Sequence, residues 1–379
     1  MIKIKKENVL IKPQKIKPSS KEFKVIGTIN PAATRLKNGD IVTYVRVIEK
    51  LIKDEDEKYY YSPRMIGENK FKLIIDKFDK KLVKSKNPLD FVFHDDTKRL
   101  TYISHLRKII LDSTGFKIKS IDKKPSFYGL SWDGELGIED SRITKINNLY
   151  VMTYVTLTKD TNISTNLAVS NDGKKWYRRG IIFEEQNKDV VIFPELINNN
   201  YIAFNRPEGN FEFSTAHIWI SYSKDLEDWG RSNSLVLSRT QGWDSGRVGA
   251  GPPPIKTKKG WLLFYHGIKE KSSIDRSIIG KIRKFFRIKD KRLVYNAGAV
   301  LLDLKNPAKI LAKTKNPIIL PNQKYEKGTF EKKDVVFPTG LVMDKNGKDI
   351  LLYSGGGDIV TTVRKIALKN IFDKLEPLI

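Results

Sequence analysis

Short runs of alternating apolar and polar residues, separated by turns rich in Asn and Gly, recur along most of the chain. Three examples are residues 41–45 (IVTYV), 150–154 (YVMTY) and 261–265 (WLLFY). β-Branched and aromatic runs bounded by such turns are typical of antiparallel strands joined as hairpins and meanders. The pattern therefore predicts an all-β protein.

Five segments repeat one arrangement, in which a short motif is followed by a polar turn and then by a strand that ends on a reactive or charged residue. They cover residues 30–46, 139–156, 193–206, 251–266 and 337–358. A supersecondary unit that recurs at a spacing of tens of residues is typical of a radial or stacked repeat protein. We therefore predict a five-bladed β-propeller, in which equivalent strands of all blades face one central axis.

A second repeat supports this prediction. Residues 170–176 and 223–229 both read S-x-D-x-x-x-W, and each follows an alternating strand. The Asp can accept hydrogen bonds from the backbone of its own turn, and the Trp can cover the gap between two blades. The two copies are predicted to be equivalent turns of neighbouring blades.

Three segments interrupt the pattern of a single domain that spans residues 1–379. Residues 1–27 are predicted to be an N-terminal arm outside the first blade, and residues 79–125 and 270–292 to be basic insertions. In the first insertion, Asp95 followed by apolar residues at positions 100, 103, 106, 109 and 110 predicts a capped amphipathic helix. In the second, a basic amphipathic helix at 272–288 would either contact an anionic membrane or pack on the propeller rim. The predicted fold class is thus a five-bladed β-propeller with short helical insertions.

The composition limits the classes of partner. The chain of 379 residues has no cysteine, which excludes disulfides, thiolate metal sites and cysteine nucleophiles. No apolar run has the length of a membrane span, and the N-terminal lysines precede no apolar segment of a secretory signal, so we expect a soluble, cytoplasmic protein. The net charge of +26 fits either an anionic partner or a lysine-rich solvated surface. No nucleic-acid-binding motif is present, and no nucleic-acid partner is expected.

The second repeat segment opens with a candidate acid. Asp140 is followed two residues later by Arg142, at the entrance of a predicted strand. This arrangement suits a carboxylic acid that is held in a defined position, and it also suits an ordinary structural ion pair.

Basic residues stand at or near the ends of other predicted strands, and these are Arg46, Lys188, Arg206 and His266. If they converged on one axis, they would repel one another unless an anion bound among them. Arg binds tetrahedral oxyanions with a planar fork, and Lys provides a point charge, so a phosphate pocket is one interpretation. The other is that each basic residue pairs with a local carboxylate such as Glu195 or Asp358.

Residues 137–146 (GIEDSRITKI) resemble the G-[IV]-E-D-P-R-I signature of glycoside hydrolase family 130. Further similar motifs cover most of residues 28–365, at 193–195, 205–207, 218–223, 243–254, 265–267, 298–303 and 336–340. The resemblance implies a five-bladed propeller and an inverting phosphorylase of β-mannosides, although some members are hydrolases. Ser141, Asn205 and Arg247 depart from the usual Pro, His and Lys of the family, which leaves the sugar specificity open.

The resemblance also implies roles for individual residues. Asp140 matches the catalytic acid of the family, which would pass its proton through the mannose 3-hydroxyl to the glycosidic oxygen. Phosphate would attack the anomeric carbon from the opposite face and give α-D-mannose 1-phosphate. The phosphate-binding positions are matched by Arg46, Lys188, Arg206 and His266. The expected substrate-binding set is Asn30, Asp358, Arg142 and Asp244. No metal and no cofactor are implied, with inorganic phosphate as the co-substrate.

Two other functions remain open, an inverting β-mannosidase and a non-catalytic propeller that binds carbohydrate or a membrane surface. An inverting hydrolase needs a second carboxylate at about 6.5–9.5 Å from the acid to activate water. Phosphate is already an anionic nucleophile and needs cations instead, so the four basic residues favour a phosphorylase. Three roles remain open for the insertions. They could shape the acceptor subsites, form a contact within a homo-oligomer or contact a membrane.

Overall fold

A computed structural model describes residues 1–68, 70–208, 216–234, 242–269, 293–328 and 333–378. Nearly all of the regular structure in this part of the chain is β-strand. The strands are β1 (Ile4–Ile11), β2 (Phe23–Arg35), β3 (Ile41–Leu51), β4 (Tyr59–Met65), β5 (Leu73–Asp79), β6 (Val83–Lys86), β7 (Asp90–Phe93), β8 (Lys98–Leu100), β9 (Tyr102–Leu111), β10 (Ile118–Ile121), β11 (Gly137–Ile146), β12 (Leu149–Thr158), β13 (Asn162–Ser170), β14 (Tyr177–Phe183), β15 (Asn187–Ile192), β16 (Tyr201–Pro207), β17 (Trp219–Ser223), β18 (Trp229–Ser234), β19 (Val248–Ala250), β20 (Ile255–Thr257), β21 (Gly260–Gly267), β22 (Leu293–Leu302), β23 (Ile310–Thr314), β24 (Lys333–Met343), β25 (Asp349–Gly356), β26 (Val360–Ala367) and β27 (Leu375–Pro377).

Helical structure is sparse in the same residues. The α-helix is α1 (Leu368–Phe372), and single 3-10 turns occur at Pro13–Lys15, Lys80–Leu82 and Lys324–Glu326. None of the described helices has the length and apolar character needed to cross a membrane. The prediction of an all-β chain is therefore confirmed.

Five sets of four antiparallel strands follow one another along the chain. In spatial order they are β10–β9–β3–β2, β11–β12–β13–β14, β15–β16–β17–β18, β19–β21–β22–β23 and β24–β25–β26–β1, and we number them sheet 1 to sheet 5. β24 also pairs in parallel with β22, which joins sheets 4 and 5, and with β20 on β21 and β27 on β23 they form one ten-stranded sheet. Each sheet contains one of the five repeat segments.

The hydrophobic core consists of clusters that each lie between two sheets. Separate clusters join sheet 1 to 2, 2 to 3, 3 to 4 and 4 to 5, and a further cluster joins sheet 5 to sheet 1. β21 shows why its sequence is a continuous apolar run. Trp261, Leu263 and Tyr265 pack toward sheet 3, whereas Leu262 and Phe264 pack toward sheet 5. Because successive side chains of a strand point to opposite faces, a strand between two sheets must be apolar on both faces.

The two S-x-D-x-x-x-W segments form equivalent turns, as predicted. Asp172 Oδ1 accepts hydrogen bonds from the backbone N–H groups of residues 174 and 175, and Asp225 Oδ1 accepts those of residues 227 and 228. Trp176 packs against the cluster between sheets 1 and 2, and Trp229 against the cluster between sheets 2 and 3.

The predicted helix after Asp95 is wrong. Residues 102–111 form β9, a central strand that pairs with β3 from Ile41↔Leu111 to Lys50↔Tyr102. The apolar residues 103, 106 and 109 have a helical spacing, but β9 is buried on both faces and also buries Ser104, His105 and Arg107. The chain between β3 and β9, which are paired with each other, forms two small sheets, β4–β5 and β6–β7–β8. The first insertion thus precedes residue 102, and its regular structure is mainly β.

The N-terminal segment is also placed differently from the prediction. β1 does not lie outside sheet 1 but pairs with β26 as the fourth strand of sheet 5, from Ile4↔Ile366 to Ile11↔Thr361. The predicted insertion at 270–292, with its basic helix at 272–288, lies outside the described residues.

Candidate functional site

A cavity of about 300 Å³ is lined by side chains from all five sheets. Seven of the nine predicted site residues line it, namely Asn30, Arg46, Asp140, Lys188, Arg206, His266 and Asp358. Glu139, Asp189, Arg247, Tyr295 and Phe337 line the same cavity, together with Leu89 and Tyr102. The structure therefore brings the predicted acid and the predicted basic residues together.

A β-bulge recurs in the first three sheets and presents polar side chains to this cavity. In β2, β11 and β15, the register with the neighbouring strand shifts after Ile29, Glu139 and Lys188. The next residue is in each case in the left-handed region, with φ of 48° at Asn30, 41° at Asp140 and 54° at Asp189. Asn and Asp tolerate this conformation better than most residues, and a bulge redirects the side chain of a strand.

Asp140 is held by three neighbours. Asn30 Nδ2 donates to Asp140 Oδ1 at 2.8 Å, and Arg46 Nη1 donates to the same oxygen at 3.2 Å. Arg142 Nη1 donates to the backbone carbonyl of Asp140 at 2.7 Å. Burial by itself would raise the pKa of the Asp140 carboxyl, but Arg46, Arg142 and Asn30 together lower it.

Glu139 lies beside Asp140 and shares its cation. Arg46 Nη2 donates to Glu139 Oε1, and Arg46 Nε donates to Ser104 Oγ at 3.2 Å. Burial raises the pKa of the Glu139 carboxyl, and the pull of Arg46 only partly offsets this effect. Two adjacent carboxyl groups, whose pKa values are shifted in opposite directions, therefore face the cavity.

Asp189 is the centre of a second charged group. Its Oδ1 accepts a hydrogen bond from Arg142 Nη2 at 3.0 Å, and its Oδ2 lies 2.7 Å from Arg206 Nη1. Arg206 Nη2 also lies 2.6 Å from Glu208 Oε1. Burial would raise the pKa of Asp189, but Arg206 and Arg142 lower it strongly, so Asp189 is ionised. Arg142 does not line the cavity and instead links Asp140 to Asp189.

His266 is fully buried at the edge of this group. Its Nε2 lies 3.2 Å from Arg206 Nη1 and 3.4 Å from Asp189 Oδ2. Burial is the main cause that lowers the pKa of His266 to about 3, so the ring is neutral at pH 7. Gly249 faces this ring, and a Cβ there would lie 2.3 Å from Asp189 Oδ2, which explains the need for glycine. His266 thus supplies a hydrogen-bonding group rather than a charge.

Lys188 differs from the other basic residues of the cavity. Its side chain is half-buried, and no carboxylate of the described residues lies within ion-pair distance of its Nζ. Arg46 and Arg206 are paired with carboxylates, although not with the predicted Glu195 or Asp358. Glu195 lies 2.5 Å from Lys256 Nζ.

Asp244 does not reach the cavity. It is 2% exposed, accepts a hydrogen bond from the Tyr265 hydroxyl at 2.9 Å and lies 2.6 Å from Lys313 Nζ. These contacts anchor the segment that carries Arg247, which does line the cavity. In the described part of the chain, His, Asp and Glu side chains form no group that could hold a metal ion.

A family model described as β-1,4-mannooligosaccharide phosphorylase matches residues 101–377. This chain belongs to glycoside hydrolase family 130. The resemblance of the sequence motifs to this family is thereby confirmed, as is the prediction of an enzyme of the phosphorylase type.

Two relatives and one solved structure indicate where the chain stands within family 130. A β-1,2-mannobiose phosphorylase of Listeria innocua is 33% identical over 98% of this chain and 97% of its own length. A 1,2-β-oligomannan phosphorylase of Thermoanaerobacter sp. is 36% identical over 62% of this chain and 70% of its own length. The solved complex of the Listeria innocua enzyme with β-1,2-mannobiose covers 96% of both chains, with a TM-score of 0.80 and 31% identity.

Sequence reasoning missed three charged residues that line this family 130 cavity, Glu139, Asp189 and Arg247. It also missed Glu208, which lies beside the cavity through its contact with Arg206. The bulge position could have revealed Asp189, because it stands 17 residues before Arg206, much as Asn30 stands 16 residues before Arg46. The third repeat segment was instead aligned on Phe193-Pro194, which follows the end of β15. No comparable signal in the sequence points to Glu208.

Proposed function

We propose that the protein is an inverting phosphorylase that cleaves the β-mannosidic bond of manno-oligosaccharides with inorganic phosphate and releases α-D-mannose 1-phosphate. One observation carries the proposal. A half-buried carboxyl, Asp140, lines the same cavity as the basic residues Lys188 and Arg206. Membership of family 130 and the names of the two relatives support the choice of a β-mannoside, and both relatives favour a β-1,2 linkage.

In this proposal, residues 1–379 form one catalytic domain, and the five sheets are the blades of a propeller around one axis. The core clusters support this architecture, because they link consecutive sheets and also link sheet 5 to sheet 1. The cavity would then lie at one end of the axis, where an equivalent bulge of several blades can contribute a side chain.

The proposed roles follow from the contacts. Asp140 is the acid that supplies a proton, through the mannose 3-hydroxyl, to the glycosidic oxygen. Phosphate binds Lys188, Arg206, His266 and Arg46. The mannose contacts Asn30 and Asp358. Holding phosphate and sugar in line with the scissile bond removes much of the entropic barrier of a two-substrate reaction.

The sequence predicts that Arg142 and Asp244 contact the substrate, but we propose that they position other residues of the site. Arg142 binds the Asp140 backbone and the Asp189 carboxylate, and it therefore fixes the acid relative to Arg206. Asp244 fixes the segment of Arg247 through Tyr265 and Lys313.

Hydrolysis is disfavoured by the state of Asp189. An inverting hydrolase requires a second carboxylate that can accept a proton from water. Asp189 lies in the cavity, but its ion pairs with Arg142 and Arg206 lower its pKa and make it a weak base. The same arginine, Arg206, is suited to a phosphate oxyanion.

The first insertion supplies the proposed acceptor side of the cavity. Leu89 lies between β6 and β7 of the insertion, and Tyr102 begins β9 directly after it. Both line the cavity together with Ile48. An apolar and aromatic wall of this kind suits the face of a sugar ring, so we place the acceptor sugar against it.

Product analysis tests the proposed function. The protein is incubated with β-1,2-mannobiose and with β-1,4-mannobiose, with and without phosphate. We expect mannose 1-phosphate from the β-1,2-linked substrate only when phosphate is present. Free mannose in the absence of phosphate would identify a hydrolase, and the absence of any turnover would favour a non-catalytic binding protein.

A further inference from the structure

Two consecutive carboxyl groups, Glu139 and Asp140, line the same wall of the cavity. In a regular strand, neighbouring side chains point to opposite faces. Here the pairs Glu139↔Val155 and Arg142↔Thr153 leave Asp140 and Ser141 opposite the single residue Tyr154. With the positive φ of Asp140, this bulge brings both carboxyl groups to one side.

One guanidinium serves both carboxyl groups. Arg46 directs Nη2 to Glu139 and Nη1 to Asp140, while its Nε is held by Ser104. Arg46 and Glu139 are each 9% exposed. Because the Nε bond fixes the plane of the guanidinium, each branch of the fork has one carboxyl partner.

The charged and polar groups that face Glu139 and Asp140 come from four strands. Glu139 faces Arg46 of β3 and Lys188 of β15, and Asp140 faces Arg46, Arg142 of its own strand, Asn30 of β2 and Asp189 of β15. Arg142 and Lys188 are shared with Asp189. Two like charges in contact disfavour each other, so such a pair binds a proton more readily than either carboxyl alone.

We propose that Glu139 is a positioning residue that keeps Asp140 able to hold the catalytic proton, by occupying one branch of Arg46 and by repelling the ionised form of Asp140. The inference rests on the proposed function of the same site. Without the Glu139 charge, both branches of Arg46 could bind Asp140 and hold it ionised.

The proton balance of phosphorolysis is consistent with this role. The bond from the anomeric carbon to the glycosidic oxygen breaks, a bond from that carbon to a phosphate oxygen forms, and the leaving oxygen takes the proton of Asp140. Hydrogen phosphate brings one proton, whereas the mannose 1-phosphate dianion carries none. The proton of the co-substrate therefore returns to the carboxyl pair in each turnover.

The test compares the pH dependence of kcat/KM for the wild type, Glu139→Gln and Glu139→Asp, with β-1,2-mannobiose and saturating phosphate. The basic limb of this profile is the pH range in which kcat/KM falls because Asp140 loses its proton. Loss of one negative charge beside Asp140 is expected to move this limb to lower pH by about one to two units in Glu139→Gln. Activity above that limb then falls about 10- to 100-fold and recovers in acid. Glu139→Asp keeps the charge and should keep the limb, and thermal unfolding verifies that both variants are folded.

An unchanged basic limb in Glu139→Gln, with a higher KM for the mannoside or for phosphate, would overturn the inference, because Glu139 would then only bind a substrate. The product of the wild type is read in the same assay. If it is free mannose, the proposed function fails, but the limb still tests Glu139, because hydrolysis also needs a protonated leaving oxygen. An inert wild type would overturn both.

Discussion

Replacement of Lys188 by Gln tests the proposed phosphate cradle most directly. Among the described residues, Lys188 is the basic cavity side chain without a carboxylate within ion-pair distance, so its charge is available to a bound anion. Arg46 and Arg206 must instead share their charge with Glu139, Asp140, Asp189 and Glu208. Gln is of similar length and polar, so the change removes the charge with little loss of packing.

The expected effect follows from the partial burial of Lys188. Two unit charges at 4 Å interact by about 4 kcal/mol at an effective dielectric constant of about 20. Water reaches a half-buried lysine and reduces this value, and hydrogen bonds to charged groups contribute about 1.5–3 kcal/mol. A loss of about 2 kcal/mol corresponds to a rise of about 30-fold in the KM for phosphate. The KM for the mannoside should stay close to that of the wild type.

Initial rates of mannose 1-phosphate release, with phosphate varied at saturating β-1,2-mannobiose, measure the effect. Lys256→Gln is the matched control, because Lys256 is 52% exposed and pairs with Glu195 away from the cavity. Exposed ion pairs contribute little, so this variant should behave as the wild type. A KM for phosphate in Lys188→Gln within about threefold of the wild type would refute the assignment, because it would correspond to a loss of less than about 1 kcal/mol.

Three further outcomes are expected. Asp140→Asn should lower kcat on β-1,2-mannobiose by about 10²- to 10⁴-fold, but much less on a dinitrophenyl β-mannoside, whose leaving group needs no proton; equal losses on both would exclude the acid role. Leu89→Ala should raise the KM for the acceptor sugar in the reverse reaction by about tenfold, from the loss of about 1.5 kcal/mol of apolar contact, and an unchanged KM would exclude contact with that sugar. Because the pKa of His266 falls from 6.5 to about 3 on folding, the unfolded chain binds a proton that the folded chain does not, and stability is lost as the pH falls below 6.5. His266→Gln lacks this effect. The difference in free energy of unfolding between the wild type and His266→Gln, measured with urea, should therefore shrink by about 2 kcal/mol between pH 7 and pH 5. A difference that stays constant over this range would mean that His266 is charged in the folded protein.

The strand pattern and the repeats anticipated much of the fold for a physical reason. In β21, the run WLLFY is apolar because both faces of the strand pack between sheets. The same double burial caused the error at residues 102–111, since apolar residues at 103, 106 and 109 fit a helix equally well when the residues between them are also buried. Spacing alone does not separate a buried strand from a helix.

The sequence predicted the basic residues of the candidate site, because they stand at strand ends, but it did not predict their carboxylate partners. Charged strand ends pointed to Arg46 and Arg206, and both line the cavity. Their partners Glu139 and Asp189 depend on bulges that bring one extra residue per strand to the cavity. A bulge changes which side chains face inward by one position, and the local sequence does not record that shift.

The pairing of β1 with β26 joins two strands that lie far apart in the sequence, at Ile4↔Ile366. During synthesis, β1 leaves the ribosome long before its partner strand β26. Sheet 5 can therefore be completed only after β26 has been synthesised. Asn30 of β2 and Asp358, which precedes β26, line the cavity from neighbouring sheets, and Thr28 N–H joins these sheets by donating to the backbone carbonyl of Ile359 at 2.9 Å. A chain that stopped before Asp358 would therefore lack both the partner strand of β1 and this part of the cavity wall.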